Sequence, residues 1–141
     1  MRHRAYKHEH LPASIRPTVA GAMVRLADLK PNQTVIDPMC GAGTLLCEAY
    51  LATKDKKSAE GKGWPMQWIA GDIDSGHARA AQANLRQFHI TDVRTWDARD
   101  LPLEDASVDR VLSNPPFGKQ LSTPEQPLVS GSWRSRCSSM T

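Results

Sequence analysis

Residues 34–44 read Thr-Val-Ile-Asp-Pro-Met-Cys-Gly-Ala-Gly-Thr, a short β-branched run followed by a loop that holds two glycines. Thr34 to Asp37 is predicted to be a buried strand, because β-branched side chains are enriched in strands. Pro38 to Gly43 is predicted to be a loop, and Thr44 to Ala52 a helix. A strand, a loop and a helix in this order are typical of the first unit of a parallel α/β sheet.

A further helix is predicted before this unit, from Pro17 to Leu29. Proline is tolerated in a first helical turn, where its missing N–H would have no intrahelical partner. Apolar residues recur along the segment at three- and four-residue spacing. This spacing predicts one buried face, formed by Val19, Ala22, Met23, Leu26 and Leu29.

The alternation continues towards the C-terminus. Gln67 to Gly71 is a predicted strand that ends at Asp72, and shorter strands are predicted at 93–95 and 108–112. Ser75 is the predicted N-cap of the intervening helix. Its helical spacing is carried by Ala78, Ala81, Leu85 and Phe88. The expected fold class is α/β, a Rossmann-like parallel sheet with helices on both faces and right-handed crossovers.

Length and composition favour one globular domain with no membrane span. The chain has 141 residues, and no apolar run reaches the roughly 20 residues that a membrane-spanning helix needs. Three cysteines without CxxC spacing disfavour a disulfide framework and a zinc site, so a cytoplasmic location without a metal is predicted. We divide the chain into a basic leading segment (1–16), a core (17–119) and an irregular, Ser-rich tail (120–141).

Polar residues stand at or just after the ends of all four predicted strands: Asp37, Asp72, Asp97 and Asn114. Ligands of such sheets bind beyond these carboxyl ends. The loop after Asp37 has neither the GxGxxG spacing nor the lysine of a phosphate-binding loop. Its leading acid instead suits a ligand that carries an ammonium group. A tight strand–helix turn is the alternative explanation of the two glycines.

The second and third acids predict a nucleoside. A carboxylate at Asp72 can accept both ribose hydroxyls, as in nucleotide-binding sheets. Asp74 competes for this assignment, although its position also suits a negative charge at a helix start. Asp97 can accept a hydrogen bond from an adenine amino group. Alternatively, Asp97 or Asp100 is a turn residue of its loop.

Residues 114–117, Asn-Pro-Pro-Phe, are the most specific stretch. The prolines fix φ and remove two backbone donors, while their carbonyls still accept. The Asn114 amide oxygen and the Pro115 carbonyl can both accept from one amino group and direct its lone pair at an electrophilic methyl carbon. Phe117 supplies a flat face for stacking a base. The alternative is an Asn-Pro turn that ends a strand.

Together these motifs resemble the class I S-adenosylmethionine-dependent methyltransferases with an (Asn/Asp)-Pro-Pro-aromatic motif. More narrowly, the chain resembles the THUMP-associated guanine-N2 methyltransferases of tRNA or rRNA. The likeness is carried by residues 12–20, 37–44, 71–74 and 113–118. It implies methylation of an exocyclic amine, N2 of guanosine, in an RNA substrate, with S-adenosyl-L-methionine as cofactor. The family has a preceding THUMP domain and further C-terminal strands, so the chain is expected to be truncated.

The resemblance also implies residue roles. The catalytic residues would be Asn114, Pro115 and Phe117. The cofactor-binding residues would be Ser14, Arg16, Thr18, Asp37, Pro38, Met39, Gly41, Gly43, Thr44, Asp72, Ile73, Asp97, Ala98 and Asn114. One rival hypothesis is a truncated cofactor-binding module without activity, whose exposed fourth strand invites self-association or a partner chain. Another is an N-methyltransferase of DNA adenine or protein glutamine.

Overall fold

The computed structural model describes Leu11, residues 14–116 and Cys137, and its centre is a four-stranded parallel sheet. The strands are β1 (Thr34–Asp37), β2 (Gln67–Asp72), β3 (Val93–Thr95) and β4 (Arg110–Val111), in the spatial order β3-β2-β1-β4. The helices are α1 (Pro17–Leu26), α2 (Thr44–Thr53) and α3 (Ser75–Leu85), and a 3₁₀ turn (Arg86–Phe88) follows α3. The predicted α/β class with a parallel sheet is confirmed.

Both faces of β1 are buried at its centre, since Val35 and Ile36 are 0% and 1% exposed, as in parallel sheets covered on both sides. Successive strand residues point to opposite faces of a sheet. Val35 packs into a core that all three helices share, whereas Ile36 packs into a second core with Trp96, Leu101 and Val108. Within the described residues, the second face is therefore covered by the loop between β3 and β4 rather than by a helix.

The buried face of α1 differs from the predicted one. Ala20 and Val24 are buried and α1 packs against α2, whereas Val19 and Leu26 are 49% and 86% exposed. The spacing was misleading because apolar residues extend most of the way around this helix. The small side chains of Ala20 and the neighbouring Gly21 permit a close approach of α2, and this contact selected the buried face.

Two predicted boundaries were wrong and one was short by a residue. α1 ends at Leu26, three residues early, because Asp28 adopts a left-handed φ of 45°. β4 is limited to Arg110–Val111, although the prediction covered 108–112. α2 extends to Thr53, one residue beyond its predicted end. The predicted bounds of β1, β2 and β3 are confirmed.

The N-cap of α3 is Asp74, and the prediction of Ser75 was wrong. Asp74 Oδ1 accepts the backbone N–H groups of Gly76 (2.7 Å) and His77 (3.0 Å). Ser75 is the first helical residue instead. Aspartate serves at least as well as serine at this position, since its carboxylate also interacts favourably with the positive end of the helix dipole.

β4 forms one edge of the sheet in the described part of the chain. Cys137 makes an isolated parallel bridge to Val108, and its thiol donates to the Asp109 carbonyl oxygen at 3.7 Å. Most of the predicted segments 1–16 and 120–141 lies outside the described residues. Among the residues that are described, no helix is long and apolar enough to span a membrane.

Candidate cofactor-binding and active site

The loop between β1 and α2 lies across the carboxyl ends of β1 and β2. The Cys40 N–H donates to the Gly71 carbonyl oxygen of β2 (2.8 Å), and the Gly43 N–H donates to the Cys40 carbonyl oxygen (2.7 Å). Gly41 and Gly43 have positive φ values of 51° and 77°, a conformation that favours glycine. A Cβ on Gly41 would meet no atom within 4 Å, so the space beside the loop is open there.

The end of the loop is packed inwards. A Cβ on Gly43 would lie 3.1 Å from Leu85 of α3, and Thr44 is buried at the start of α2. Pro38 is also buried, whereas Met39 is partly exposed. Of the predicted cofactor-binding residues in this loop, Gly41 and Met39 therefore present the accessible surface, and Gly43 serves the packing of the loop on α3.

Asp72 joins the end of β2 to this loop. Its Oδ2 accepts the Gly41 N–H (2.9 Å) and its Oδ1 accepts the Asp74 N–H (3.0 Å). His77 Nδ1, which was given no role from sequence, lies 3.4 Å from the same Oδ1. A carboxylate has about four acceptor positions, so Asp72 keeps capacity for ligand hydroxyls. The competing acid, Asp74, is committed to capping α3.

Asp37 lies at the head of the loop and is only 1% exposed. Its Oδ1 accepts the Met39 N–H at 3.2 Å. Burial raises the pKa of Asp37 to about 7; the Met39 N–H and the nearby Ser113 hydroxyl lower it, and the charge of Asp72 raises it. Burial, together with Asp37 and Asp72, also raises the pKa of the Cys40 thiol, which disfavours a nucleophilic thiolate there.

The raised pKa of Asp37 predicts that stability decreases as pH rises. Between pH 3.8 and about 7 the folded chain holds a proton that the unfolded chain has lost, so the unfolding free energy falls across this window. The fall is about 4 kcal/mol, at 1.36 kcal/mol for each pKa unit. Asp37→Asn is expected to abolish this fall in unfolding free energy. The variant should therefore be more stable than the wild type at pH 8 and equally stable near pH 4.

Urea unfolding of both proteins at pH 4.5, 6 and 8 measures this difference. Asp55→Asn is the matched control, because the Asp55 side chain is 87% exposed. A difference between Asp37→Asn and wild type that stays constant with pH would contradict the assignment of the raised pKa to Asp37.

Asp97 heads a turn after β3. Its Oδ1 accepts the Arg99 N–H (2.9 Å), and the Arg99 guanidinium contacts its Oδ2 at 2.6 Å. These bonds hold the pKa of Asp97 below its ordinary value. The neighbouring Ala98 is buried. Asp97 is thus a turn residue of its loop, as the alternative interpretation of the sequence had it. The contact of Asp97 with adenine stays a prediction.

Asn114 follows β4 and lies at the same carboxyl end of the sheet as Asp37 and Asp72. The Leu112 N–H donates to the Ile36 carbonyl oxygen at 2.9 Å, so the chain leaves β4 beside the end of β1. Asn114 and Pro115 are partly buried there. Phe117, the predicted stacking surface, lies outside the described residues.

Three predicted cofactor-binding residues lie at the start of α1: Ser14, Arg16 and Thr18. Arg16 is the N-cap residue but makes no side-chain capping hydrogen bond, and both Arg16 and Thr18 are exposed. Ser14 Oγ is buried without a hydrogen-bond partner. Of these three residues, Ser14 carries the polar atom that a ligand would satisfy.

Trp96 was given no role from sequence, yet it joins three parts of the site. Its indole N–H donates to the Pro38 carbonyl oxygen (3.0 Å), and its backbone N–H donates to the Asp72 carbonyl oxygen (3.0 Å). Its ring lies so close to Gly71 that a Cβ there would overlap with it. The sequence signal was Gly71 itself, because glycine within a strand often marks a close approach.

A family model described as the RMKL-like methyltransferase domain (UPF0020) matches residues 4–128, which include every strand and helix above. The chain belongs to this family. Relatives of this RMKL-like domain include a tRNA (guanine(6)-N2)-methyltransferase of Thermus thermophilus, 38% identical over 125 residues. A U6 snRNA (guanine-N(2))-methyltransferase of Bos taurus is 36% identical over 112 residues. A tRNA (guanine(10)-N2)-dimethyltransferase of Methanothermobacter thermautotrophicus is 35% identical over 114 residues. The resemblance to guanine-N2 methyltransferases is confirmed.

The RMKL-like domain spans only part of these relatives. The three alignments cover 86%, 77% and 79% of this chain, but 34%, 20% and 30% of the respective relatives. The activity and substrate of the longer proteins are therefore proposals for this chain.

Solved structures support the fold. TrmN from Thermus thermophilus has a TM-score of 0.57 and 33% identity, over 75% of this chain and 30% of its own. A structure described as a predicted N6-adenine-specific DNA methylase from Listeria monocytogenes has a TM-score of 0.64 and 25% identity, over 86% of this chain and 40% of its own. The Rossmann-like fold of class I methyltransferases is confirmed.

Proposed function

We propose that this RMKL-like domain binds S-adenosyl-L-methionine and methylates N2 of a guanosine in an RNA, in the cytoplasm. The observation that carries the proposal is the hydrogen bond from the Gly41 N–H to Asp72 (2.9 Å). It joins the glycine loop after β1 to Asp72, the acid proposed to bind the ribose, at the end of β2. Asn114 lies at the same carboxyl end of the sheet, just after β4. Parallel sheets bind ligands at this end.

The residues present fit this cofactor. The open space at Gly41 accommodates a ligand against the loop, and Ser14 Oγ is a buried hydroxyl in need of a partner. Ile73 is 67% exposed beside Asp72, which suits a planar ring. We assign the ribose hydroxyls of the cofactor to Asp72. The adenine ring is assigned to Ile73, Asp97 and Ala98. The ammonium group of the methionine portion is assigned to the side of the loop where Asp37 lies. The cofactor supplies an electrophilic methyl group.

Asn114 and Pro115 are assigned to bind the target amine. The amide oxygen of Asn114 and the carbonyl of Pro115 accept the two N–H bonds of one amino group and so fix the direction of its lone pair. Both acceptors also stabilise the positive charge that develops on nitrogen. No strong base is required, because the proton leaves after the nitrogen has become cationic.

RNA guanine is favoured over the rival acceptors by the relatives, all three of which are named as guanine-N2 methyltransferases of RNA. The acceptor pair itself fits adenine and glutamine amines equally well. Because β4 is an edge strand in the described part of the chain, the proposal includes association along β4, with a second copy or a partner chain.

The test combines cofactor titration with transfer of a tritiated methyl group to RNA, DNA and protein acceptors in one assay. We expect cofactor binding and incorporation into RNA as N2-methylguanosine. Incorporation into DNA or protein alone would reject the RNA proposal, and binding without transfer to any acceptor would support the inactive module instead.

Asp72→Ala is expected to weaken cofactor affinity by about 10- to 100-fold, because it removes hydrogen bonds to a charged acceptor worth about 1.5–3 kcal/mol. Calorimetry measures the affinity, and circular dichroism checks the fold. Asp55→Ala, at an exposed acid, should bind as the wild type does. An unchanged affinity of Asp72→Ala would remove Asp72 from the site.

A further inference from the structure

Ser113, the residue before Asn114, has a buried hydroxyl without a hydrogen-bond partner of standard geometry. In the described part of the chain, Ser14 is the other residue with such an atom. A buried polar group without a partner costs about 1–3 kcal/mol, and native structures satisfy nearly all of them. The position of the Ser113 hydroxyl therefore needs an explanation.

The sheet places Ser113 beside Asp37. Ile36 and Val111 are paired between β1 and β4, and the Leu112 N–H donates to the Ile36 carbonyl oxygen. Asp37 is one residue beyond Ile36 and Ser113 is two residues beyond Val111, so both follow the last paired residues of β1 and β4 at the same end of the sheet. The hydroxyl lies near enough to the Asp37 carboxyl to lower its pKa.

Three other groups lie near Asp37: the Met39 N–H, the Cys40 thiol and the Asp72 carboxylate. The Met39 N–H donates to Asp37 Oδ1, and the Cys40 thiol is close enough for Asp37 to affect its ionisation. The Asp72 carboxylate interacts with Asp37 and is itself 3.4 Å from His77 Nδ1. Of the side chains named here, the His77 imidazole is the one that can become cationic, and it contacts Asp72 rather than Asp37.

We propose that Ser113 is a positioning residue through which cofactor binding ionises Asp37. The inference rests on the proposed function. When a cationic cofactor occupies the loop, Asp37 loses its proton to solvent and the Ser113 hydroxyl turns to donate to the new carboxylate. The same movement fixes the residue next to Asn114, so an occupied cofactor site organises the start of the amine-binding stretch.

The physical reason is the burial of Asp37. A positive charge nearby favours its ionised form, and in a low-dielectric site this attraction is strong. The carboxylate then requires donors. Met39 supplies one, and at 1% exposure little water can supply another. The Ser113 hydroxyl is adjacent and has no hydrogen-bond partner of standard geometry, so a small rotation lets it donate to the carboxylate.

Calorimetry of S-adenosylmethionine binding to the full chain tests the proposal. It is run from pH 6 to 8.5 in buffers of different ionisation enthalpy, which reveals the protons released. Wild type should release up to one proton at pH 6 and progressively less above about pH 7. Ser113→Ala should bind about fivefold more weakly at pH 7, the equivalent of one hydrogen bond, and release its proton up to a higher pH.

Ser113→Thr keeps the hydroxyl and should restore both affinity and proton release, whereas a merely structural defect would not follow the hydroxyl. Ser107→Ala, at an exposed serine, is the control. Binding by Ser113→Ala with wild-type affinity and proton release would overturn the inference while the proposed function stands. Absence of cofactor binding to the wild type would overturn both.

A second measurement holds if Ser113→Ala does not fold. Carbon NMR of the Asp37 carboxyl group in the wild type reports its ionisation at pH 6 with and without S-adenosylmethionine. A carboxyl that ionises on binding supports the inference, and one that stays protonated with the cofactor bound overturns it.

Discussion

Replacing Asn114 by alanine is expected to reduce methyl transfer by about a thousandfold while cofactor affinity stays within about threefold of wild type. The amide oxygen is an acceptor aimed at charge that develops during transfer, and loss of one such group typically costs 10²- to 10³-fold. The orientation of the amine is lost as well. Single-turnover transfer of tritiated methyl to RNA, on a chain shown to bind the cofactor, measures the effect.

Asn114→Asp is the matched variant. It keeps the size and an acceptor oxygen, so it should retain more activity than Asn114→Ala. Near-normal turnover of Asn114→Ala would show that the amine is held elsewhere. A parallel loss of cofactor binding would instead assign Asn114 to the cofactor site.

Gly71→Ala is expected to destabilise the fold by about 3 kcal/mol and to weaken cofactor binding with it. The new methyl group would overlap the Trp96 ring, and overpacking of this kind costs about 1–3 kcal/mol or more. Trp96 cannot move freely, because its indole N–H is bonded to Pro38 and its backbone N–H to Asp72. Relief of the overlap would therefore displace the residues that shape the site.

Urea unfolding measures this loss, with Gly63→Ala as the control, because a Cβ on Gly63 meets no atom within 4 Å. We expect the control to unfold within about 1 kcal/mol of wild type. Equal stability of Gly71→Ala and Gly63→Ala would mean that Trp96 is not packed on β2 as the structure has it.

Most of the sheet could be predicted because its strands are short apolar runs that end at polar residues. β1, β2 and β3 were correct, and Asp37, Asp72 and Asn114 were expected at one edge from the geometry of parallel sheets alone. α1 shows the limit of such reasoning. Its apolar residues allow more than one buried face, and contact with α2 through Ala20 made the choice.

The candidate site divides in the same way. Residue types and spacing were sufficient to predict a glycine loop, an acid for a nucleoside and an acceptor pair for an amine, since each depends on a few consecutive residues. The competition between Asp72 and Asp74 could not be resolved from spacing. Two sets of hydrogen bonds favour Asp72 as the ribose ligand: Asp74 caps α3, and Asp72 accepts the Gly41 N–H across the loop.

By itself, the sequence determined the order of strands and helices, the glycine loop after β1 and the chemistry offered at each strand end, because these are properties of short segments. Only the tertiary structure decided that Trp96 covers Gly71, that Asp37 is buried with a raised pKa and that Ser113 lies beside it. Burial and through-space contacts arise from several distant segments at once. No local pattern can specify them, because each depends on residues that are far apart in the sequence.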